Sequence, residues 1–391
     1  MNRLGAKQAA QLIERGELTA QKLVRACLER IEARDAELRA WAYVEKQPGI
    51  PAAAPLRGVP IGVKDIFDTF DMPTEYGSPI YAGHRPRADS APVALARRAG
   101  GTILGKTVTT EFATFVPAAT RNPRNLAHTP GGSSSGSAVA VADFMVPLAF
   151  GTQTAGSLIR PGAYCGVVAY KPSYNLLPRA GVKPDADSLD TVGVFARSVE
   201  DAAFFVSALT GFNLELTIDR PKIGAFRTPA QVPIAHVVEI PEWDRLAAAH
   251  RAILLYEVAR SLADEYTRGA ELMSPALRER CAAGFALDPA QYQDARRIAR
   301  EFRARLDALF SDCDVLIAPS ATGEAPAGLA STGDVSMNAV WTLLHVPCVS
   351  IPSGAGPNGL PLGLQVIGRS GDDARTLACA KWLHSRLNGG G

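Results

Sequence analysis

Two stretches decide how this chain reads. One is Gly131-Gly132-Ser133-Ser134-Ser135-Gly136-Ser137, which runs into Ala138-Val139-Ala140-Val141-Ala142. The other is Gly151-Thr152-Gln153-Thr154-Ala155-Gly156-Ser157, directly after the apolar run Phe144–Phe150. The serine-rich run feeds a compact apolar segment, predicted helical over Ser135–Ala142, which is unlike a flexible Gly/Ser linker. The second run puts small residues ahead of Ser157, as backbone N–H groups need if they are to converge on a developing oxyanion. A third segment precedes both. Val59, Ile61 and Val63 alternate with Gly58, Pro60 and Gly62, a period of two that predicts a strand reaching Lys64. Lys64 shares the face of the small residues, which leaves room around its ammonium group.

Outward from these segments, short apolar runs alternate with helical patterns. Strands are predicted at Thr102–Leu104, Phe144–Phe150, Val167–Tyr170, Lys222–Phe226, Val315–Ala318, Val346–Ile351 and Leu362–Ile367, the last two joined through the turn signal Asn358-Gly359. Helices are predicted over the first forty-odd residues, with Thr19 as an N-cap, and at Ala91–Ala99, Ser198–Leu209, Trp243–Tyr266 and Gln291–Phe310. Interleaved strands and helices predict an α/β layered architecture with a mostly parallel sheet and some antiparallel pairing. Asn213–Pro241, rich in Pro and turn residues, is where a subdomain junction could sit, but one domain over residues 1–391 is the expectation.

The 391 residues carry 41 Lys+Arg against 39 Asp+Glu, a net charge of +2 with the basic residues dispersed. That argues against a nucleic-acid groove or an anionic membrane as partner. Ample Leu, Ile and Val exclude disorder. The longest apolar stretch, Ala138–Gly151, is interrupted by Asp143 and too short to span a bilayer, and Glu14 and Glu17 make the N-terminus unlike a signal peptide. A cytoplasmic protein is expected. Cys27, Cys165, Cys281, Cys313, Cys348 and Cys379 form no CxxC pair, and the six histidines are scattered, so neither a metal nor a cofactor is expected.

Three motifs compete for the chemistry. Gly100–Thr107 fits GxxxxGK[ST], but the stretch before it reads as helix, and Thr102-Ile103-Leu104 is β-favouring where a phosphate loop must be flexible. Gly132-Ser133-Ser134-Ser135-Gly136 fits GxSxG and would make Ser134 a nucleophile, yet Arg121–Pro130 ahead of it is loop rather than the strand such an elbow requires. The third reading joins Lys64 to the two Gly/Ser runs. A lysine kept neutral by burial can serve as base for a serine, so a Ser–Ser–Lys relay needs no histidine. Against it stands the plainer possibility that the Gly/Ser runs are turns and Lys64 caps a strand.

Taken together, the three segments resemble the amidase signature family in order, composition and separation. The likeness continues through Arg160–Gly166, Tyr170-Lys171-Pro172-Ser173 and Ser188–Gly193, extends less sharply to Leu344–Pro352 and Leu362–Gly368, and is weakest over about 211–290. It implies an α/β/α sandwich around a large mixed sheet, with Ser157 as nucleophile. It further implies Ser133 as the proton-relaying serine after a cis peptide bond at Gly132, Lys64 as general base, and the N–H groups of Thr154, Ala155, Gly156 and Ser157 as oxyanion hole. Three positions depart from the family pattern. Gln153 replaces an Asp, Ala155 replaces a Gly, and the arginine usually two residues after the nucleophile is Ile159, with Arg160 following. Gln153, Arg160 and the compact length look most like the malonamidase branch, whose substrates are small carboxylate-bearing amides.

The resemblance therefore implies an amidohydrolase cleaving a small carboxamide to carboxylate and ammonia, with Arg160 and Gly132 at the substrate. Arg160 could instead pair with a buried carboxylate such as Asp190. The partner is a small-molecule amide, with a homodimer as the assembly considered. The alternative is an A-type subunit of a tRNA-dependent amidotransferase, which shares the triad and passes ammonia on.

Overall fold

A computed structural model describes residues 1–51, 54–227, 234 and 236–388. Its centre is one mixed sheet of eleven strands: β1 (Trp41–Val44), β2 (Pro60–Lys64), β3 (Thr102–Thr107), β4 (Leu148–Gln153), β5 (Val168–Lys171), β6 (Thr191–Ala196), β7 (Ile223–Ala225), β8 (His236–Val237), β9 (Val315–Pro319), β10 (Cys348–Ala355) and β11 (Pro361–Ile367). Their order is β1-β3-β2-β4-β6-β5-β10-β11-β9-β7-β8. Pairing is parallel where β2 meets β3 and β4, and where β7 meets β8 and β9. It is antiparallel elsewhere, including the β10–β11 hairpin. The sheet is thus less parallel than the interleaved pattern predicts.

Alternation along the strands sends side chains to two separate cores. In β9, Val315 and Ile317 join one apolar cluster while Leu316 and Ala318 join the other. The first cluster is completed by helices Ala6–Glu14, Ala20–Leu38, Ala91–Arg98, Ser135–Ala142, Val199–Thr210 and Asp373–Asn388, the second by Trp243–Ser261, Pro289–Arg303 and Ala339–Leu343. A sheet covered by helices on both faces is the α/β arrangement expected.

Several boundaries differ from the sequence-based expectation. The run Phe144–Phe150 is not a strand from its start. Phe144 has φ 60°, and Met145 and Val146 donate back to Ala140, so the helix exit consumes these residues and β4 begins at Leu148. The shift carries Thr152 and Gln153 into the sheet. The predicted helix Trp243–Tyr266 breaks at Leu262, and Gln291–Phe310 is a helix from Pro289, capped by Asp288, that ends at Arg303 before a 3-10 turn at Leu306–Phe310. The N-terminal helical stretch is two helices, and Thr19 Oγ1 accepts the Lys22 N–H at 3.3 Å at the start of the second. Within Asn213–Pro241, residues 228–233 and 235 lie outside the described residues, while β7 and β8 belong to the same sheet as the other strands. Among the described residues no helix is long and apolar enough to cross a membrane. All six cysteines are buried and unpaired.

Candidate active site

Lys64 ends β2, an interior strand third from one edge of the sheet, where its parallel neighbour β4 ends close by. Its side chain is fully buried, with Nζ 2.8 Å from Ser133 Oγ and 2.9 Å from Thr152 Oγ1 on β4. Burial disfavours the ammonium form and brings the pKa down to about 7, against a smaller opposing pull from Asp185 and Asp190. A lysine there is neutral in a large share of molecules near physiological pH, as a base must be.

The serines of the Gly/Ser run separate by partner. Ser134 Oγ donates to Thr152 O at 3.2 Å and accepts its N–H at 3.3 Å, Ser135 Oγ donates to Val108 O at 3.4 Å, and Ser137 Oγ donates to Phe150 O at 2.8 Å. These hydroxyls fasten the helix Ser135–Ala142 to the sheet. Ser133, which follows a cis peptide bond from Gly132, is the one bonded to Lys64. Ser134 is therefore a structural stitch and no elbow nucleophile. The phosphate-loop expression fails equally: Gly105 and Lys106 lie in β3, and Lys106 is a buried partner of Asp65 at 3.1 Å and of Phe67 O at 2.9 Å.

Ser157 sits between β4 and the short helix Ile159–Cys165, 8 % exposed, and its Oγ makes no hydrogen bond among the described residues. No hydrogen bond joins it to Ser133 in this structure. The loop before it has its backbone sorted by polarity. Thr154 O accepts from His250 Nε2 at 2.9 Å, Ala155 O from Thr342 Oγ1 at 2.8 Å, and Gly156 O from Arg160 N at 3.1 Å. The N–H groups of Thr154, Ala155, Gly156 and Ser157 donate to no acceptor among the described residues. With its carbonyls occupied and its amides open, such a loop can accept a negative oxygen.

Gln153 accounts for how the loop is held. Its Oε1 accepts the N–H groups of Leu158 and Ile159 at 2.9 and 3.0 Å, at the start of the helix, and its Nε2 donates to Thr342 Oγ1 at 3.0 Å. An amide can do both where a carboxylate can only accept. His250 is buried, and its pKa falls to about 4, so a neutral ring donates through Nε2. Thr154 Oγ1 donates to Asp190 Oδ1 at 2.5 Å, and Asp190 Oδ2 accepts the N–H groups of Asp185 and Ala186. Burial raises the pKa of both aspartates, and at Asp185 the neighbouring Asp190 charge adds to the rise. They line a cavity of about 100 Å³ together with Thr152, the second partner of Lys64.

Arg160 is buried and is not paired with Asp190, which is committed to Thr154 and two backbone amides. Its Nη2 donates to Gly132 O at 2.6 Å and Thr332 Oγ1 at 3.0 Å, while Nε and Nη1 have no partner among the described residues. Burial lowers its pKa to about 10, leaving it charged. The resemblance groups Lys64, Ser133, Ser157 and Arg160 in one site, and nothing in the sequence points to His250, Thr342 or Asn338. These approach the loop from more than ninety residues away and carry no local motif.

The Amidase family model matches residues 12–222 and 237–377 of the chain. The A-type subunit of the glutamyl-tRNA(Gln) amidotransferase of Acidothermus cellulolyticus is 32% identical over an alignment covering 93% of this chain and 90% of that protein. A chain from a vestigial protein complex, described for the origins of an s-triazine catabolic enzyme, superposes with a TM-score of 0.89 at 26% identity, covering 98% of each chain. The peptide amidase of Stenotrophomonas maltophilia gives 0.81 at 27% identity, covering 99% and 97%. A match over most of the length, on a sheet that buries Lys64 against Ser133, makes this an enzyme of amide C–N bonds: the chain belongs to the amidase signature family.

Proposed function

We propose that the chain, as a single catalytic domain, cleaves a primary carboxamide through an acyl-enzyme on Ser157 and frees ammonia. The observation that carries this is the loop 154–157, with its carbonyls occupied and its N–H groups open, beside a buried lysine bonded to a serine. In this reading, neutral Lys64 takes the Ser157 proton through Ser133 as Oγ attacks the carbonyl carbon. The oxyanion rests on the open N–H groups, and the same relay returns the proton to the leaving nitrogen. Water or another acceptor then takes the acyl group.

The fate of ammonia divides two finer readings. The relatives named as amidotransferase subunits support transfer: the amide donor is cleaved here and the ammonia passes to a partner-bound acceptor. On that reading the partner set includes other subunits, and the expectation of no nucleic acid applies to this chain's own surface alone. The comparisons favour this over malonamate-like hydrolysis. One observation favours the second reading, a free-standing hydrolase of the malonamidase kind. Arg160 keeps Nε and Nη1 open in a buried, charged guanidinium near the site, which suits contact with a substrate carboxylate through either nitrogen. Ammonia release by the chain purified alone, over mono- and dicarboxylic amides with Ser157→Ala as blank, tests both. Steady turnover without a partner supports the hydrolase. Turnover only with partner subunits, ATP and charged tRNA supports the transferase, and release by Ser157→Ala refutes the acyl-enzyme.

A further inference from the structure

Against Gly156 of the loop lies an acceptor that no donor among the described residues uses. Asn338 opens the helix Ala339–Leu343, the same helix whose Thr342 holds Ala155 O. Its side chain is fully buried, and Nδ2 donates to Ser320 O at 3.0 Å. That bond fixes the orientation of the amide, because a flip would set Oδ1 against a carbonyl oxygen. Oδ1 therefore faces the nucleophile loop: a Cβ built on Gly156 would lie 2.7 Å from it. It has no hydrogen-bond partner among the described residues. A buried acceptor without a donor costs free energy comparable to a lost hydrogen bond, so it calls for an occupant.

We propose that Asn338 Oδ1 accepts an N–H of the substrate's scissile carboxamide and so selects amides over esters. The loop offers only donors, which suit the carbonyl oxygen of amide and ester alike. The amide's NH₂ is what distinguishes it, and only an acceptor can read it. Asn338 contributes a lone acceptor against Gly156 of the loop. This rests on the reading of Ser157 as nucleophile and adds a residue that sets its preference.

The test compares kcat/KM for a primary amide and for the methyl ester of the same acid, in wild type, Asn338→Ala and Asn338→Ser. The serine variant keeps a polar residue at the helix start, where Asn338 itself makes no side-chain capping bond, but withdraws the acceptor from the loop. The expected result is a fall of about tenfold or more on the amide, the size of one neutral hydrogen bond with its partner left unpaired, and a change under about threefold on the ester. Ester turnover doubles as the check that each variant folds. Equal losses on both substrates would make Asn338 a mere buttress of the loop, and unchanged amide turnover would remove any role; either overturns the proposal. Ser157→Ala run alongside separates the two claims. If it still cleaves both substrates, the nucleophile assignment fails; if it cleaves neither while Asn338 variants lose both equally, only the Asn338 assignment fails.

Discussion

Replacing Gln153 by leucine probes the scaffold of the oxyanion loop. The two side chains are similar in volume, so the fully buried site gains little cavity. What changes is polarity. The N–H groups of Leu158 and Ile159 lose their acceptor, and Thr342 Oγ1 loses the donor that orients it towards Ala155 O. Each buried N–H left without a partner costs about 1–3 kcal/mol, so the pair gives a loss of about 2–6 kcal/mol. Urea unfolding should show the midpoint falling with an unchanged m-value, since the surface exposed on unfolding is the same. Gln153→Glu should lose less, because a carboxylate still accepts both amides, and the positive end of the helix dipole favours it. Activity should fall in both, more in Gln153→Leu. A leucine variant within about 1 kcal/mol of wild type and fully active would refute the idea that Gln153 holds the loop.

Burial of Lys64 links both activity and stability to pH. Its neutral form is the base, so kcat/KM should rise with pH through one ionisation near pH 7, and His345→Ala should leave that limb in place, because His345 is bonded to Ser188 O and its pKa is driven down to about 3. Because the folded pKa lies below the unfolded value of 10.5, the unfolded chain holds the extra proton between about pH 7 and that value, so the Lys64 contribution to stability increases as pH rises across this window. Lys64→Met should abolish that increase in urea titrations at several pH values. Lys106→Met should cost about 3–5 kcal/mol by stranding Asp65, and ATP should not raise the melting temperature of the wild-type protein. Arg160→Ala should cost about 2–4 kcal/mol in kcat/KM on a carboxylate-bearing amide. An uncharged amide should show only the smaller part due to freeing Gly132 O, and equal losses would make Arg160 purely structural.

The chemistry was more legible in the sequence than the scaffold around it. Strand alternation is a local signal that put Lys64 at the end of β2, whereas Ser133 was singled out among its neighbouring serines by the resemblance alone, with which its bond to Lys64 and the cis bond at Gly132 agree. β6 was missed because Gly193 interrupts a run otherwise rich in β-formers. The helices Pro275–Ala286 and Asp373–Asn388 were missed because their apolar residues form no strong stripe. Gln153 stood out as a departure, but its purpose depends on Thr342, nearly two hundred residues on. The same holds for Asn338 and His250. Their roles exist only once the sheet brings distant segments to one loop, and no periodicity encodes that.

The account turns on covalent chemistry at Ser157. Incubation with a slowly hydrolysed amide or ester, an acid quench and peptide mass spectrometry would locate the acyl group. The mass increase is expected on the peptide containing Ser157, absent in Ser157→Ala and accumulating more slowly in Lys64→Ala. An acyl group on Ser134 or Cys165, or turnover that survives Ser157→Ala, would contradict it.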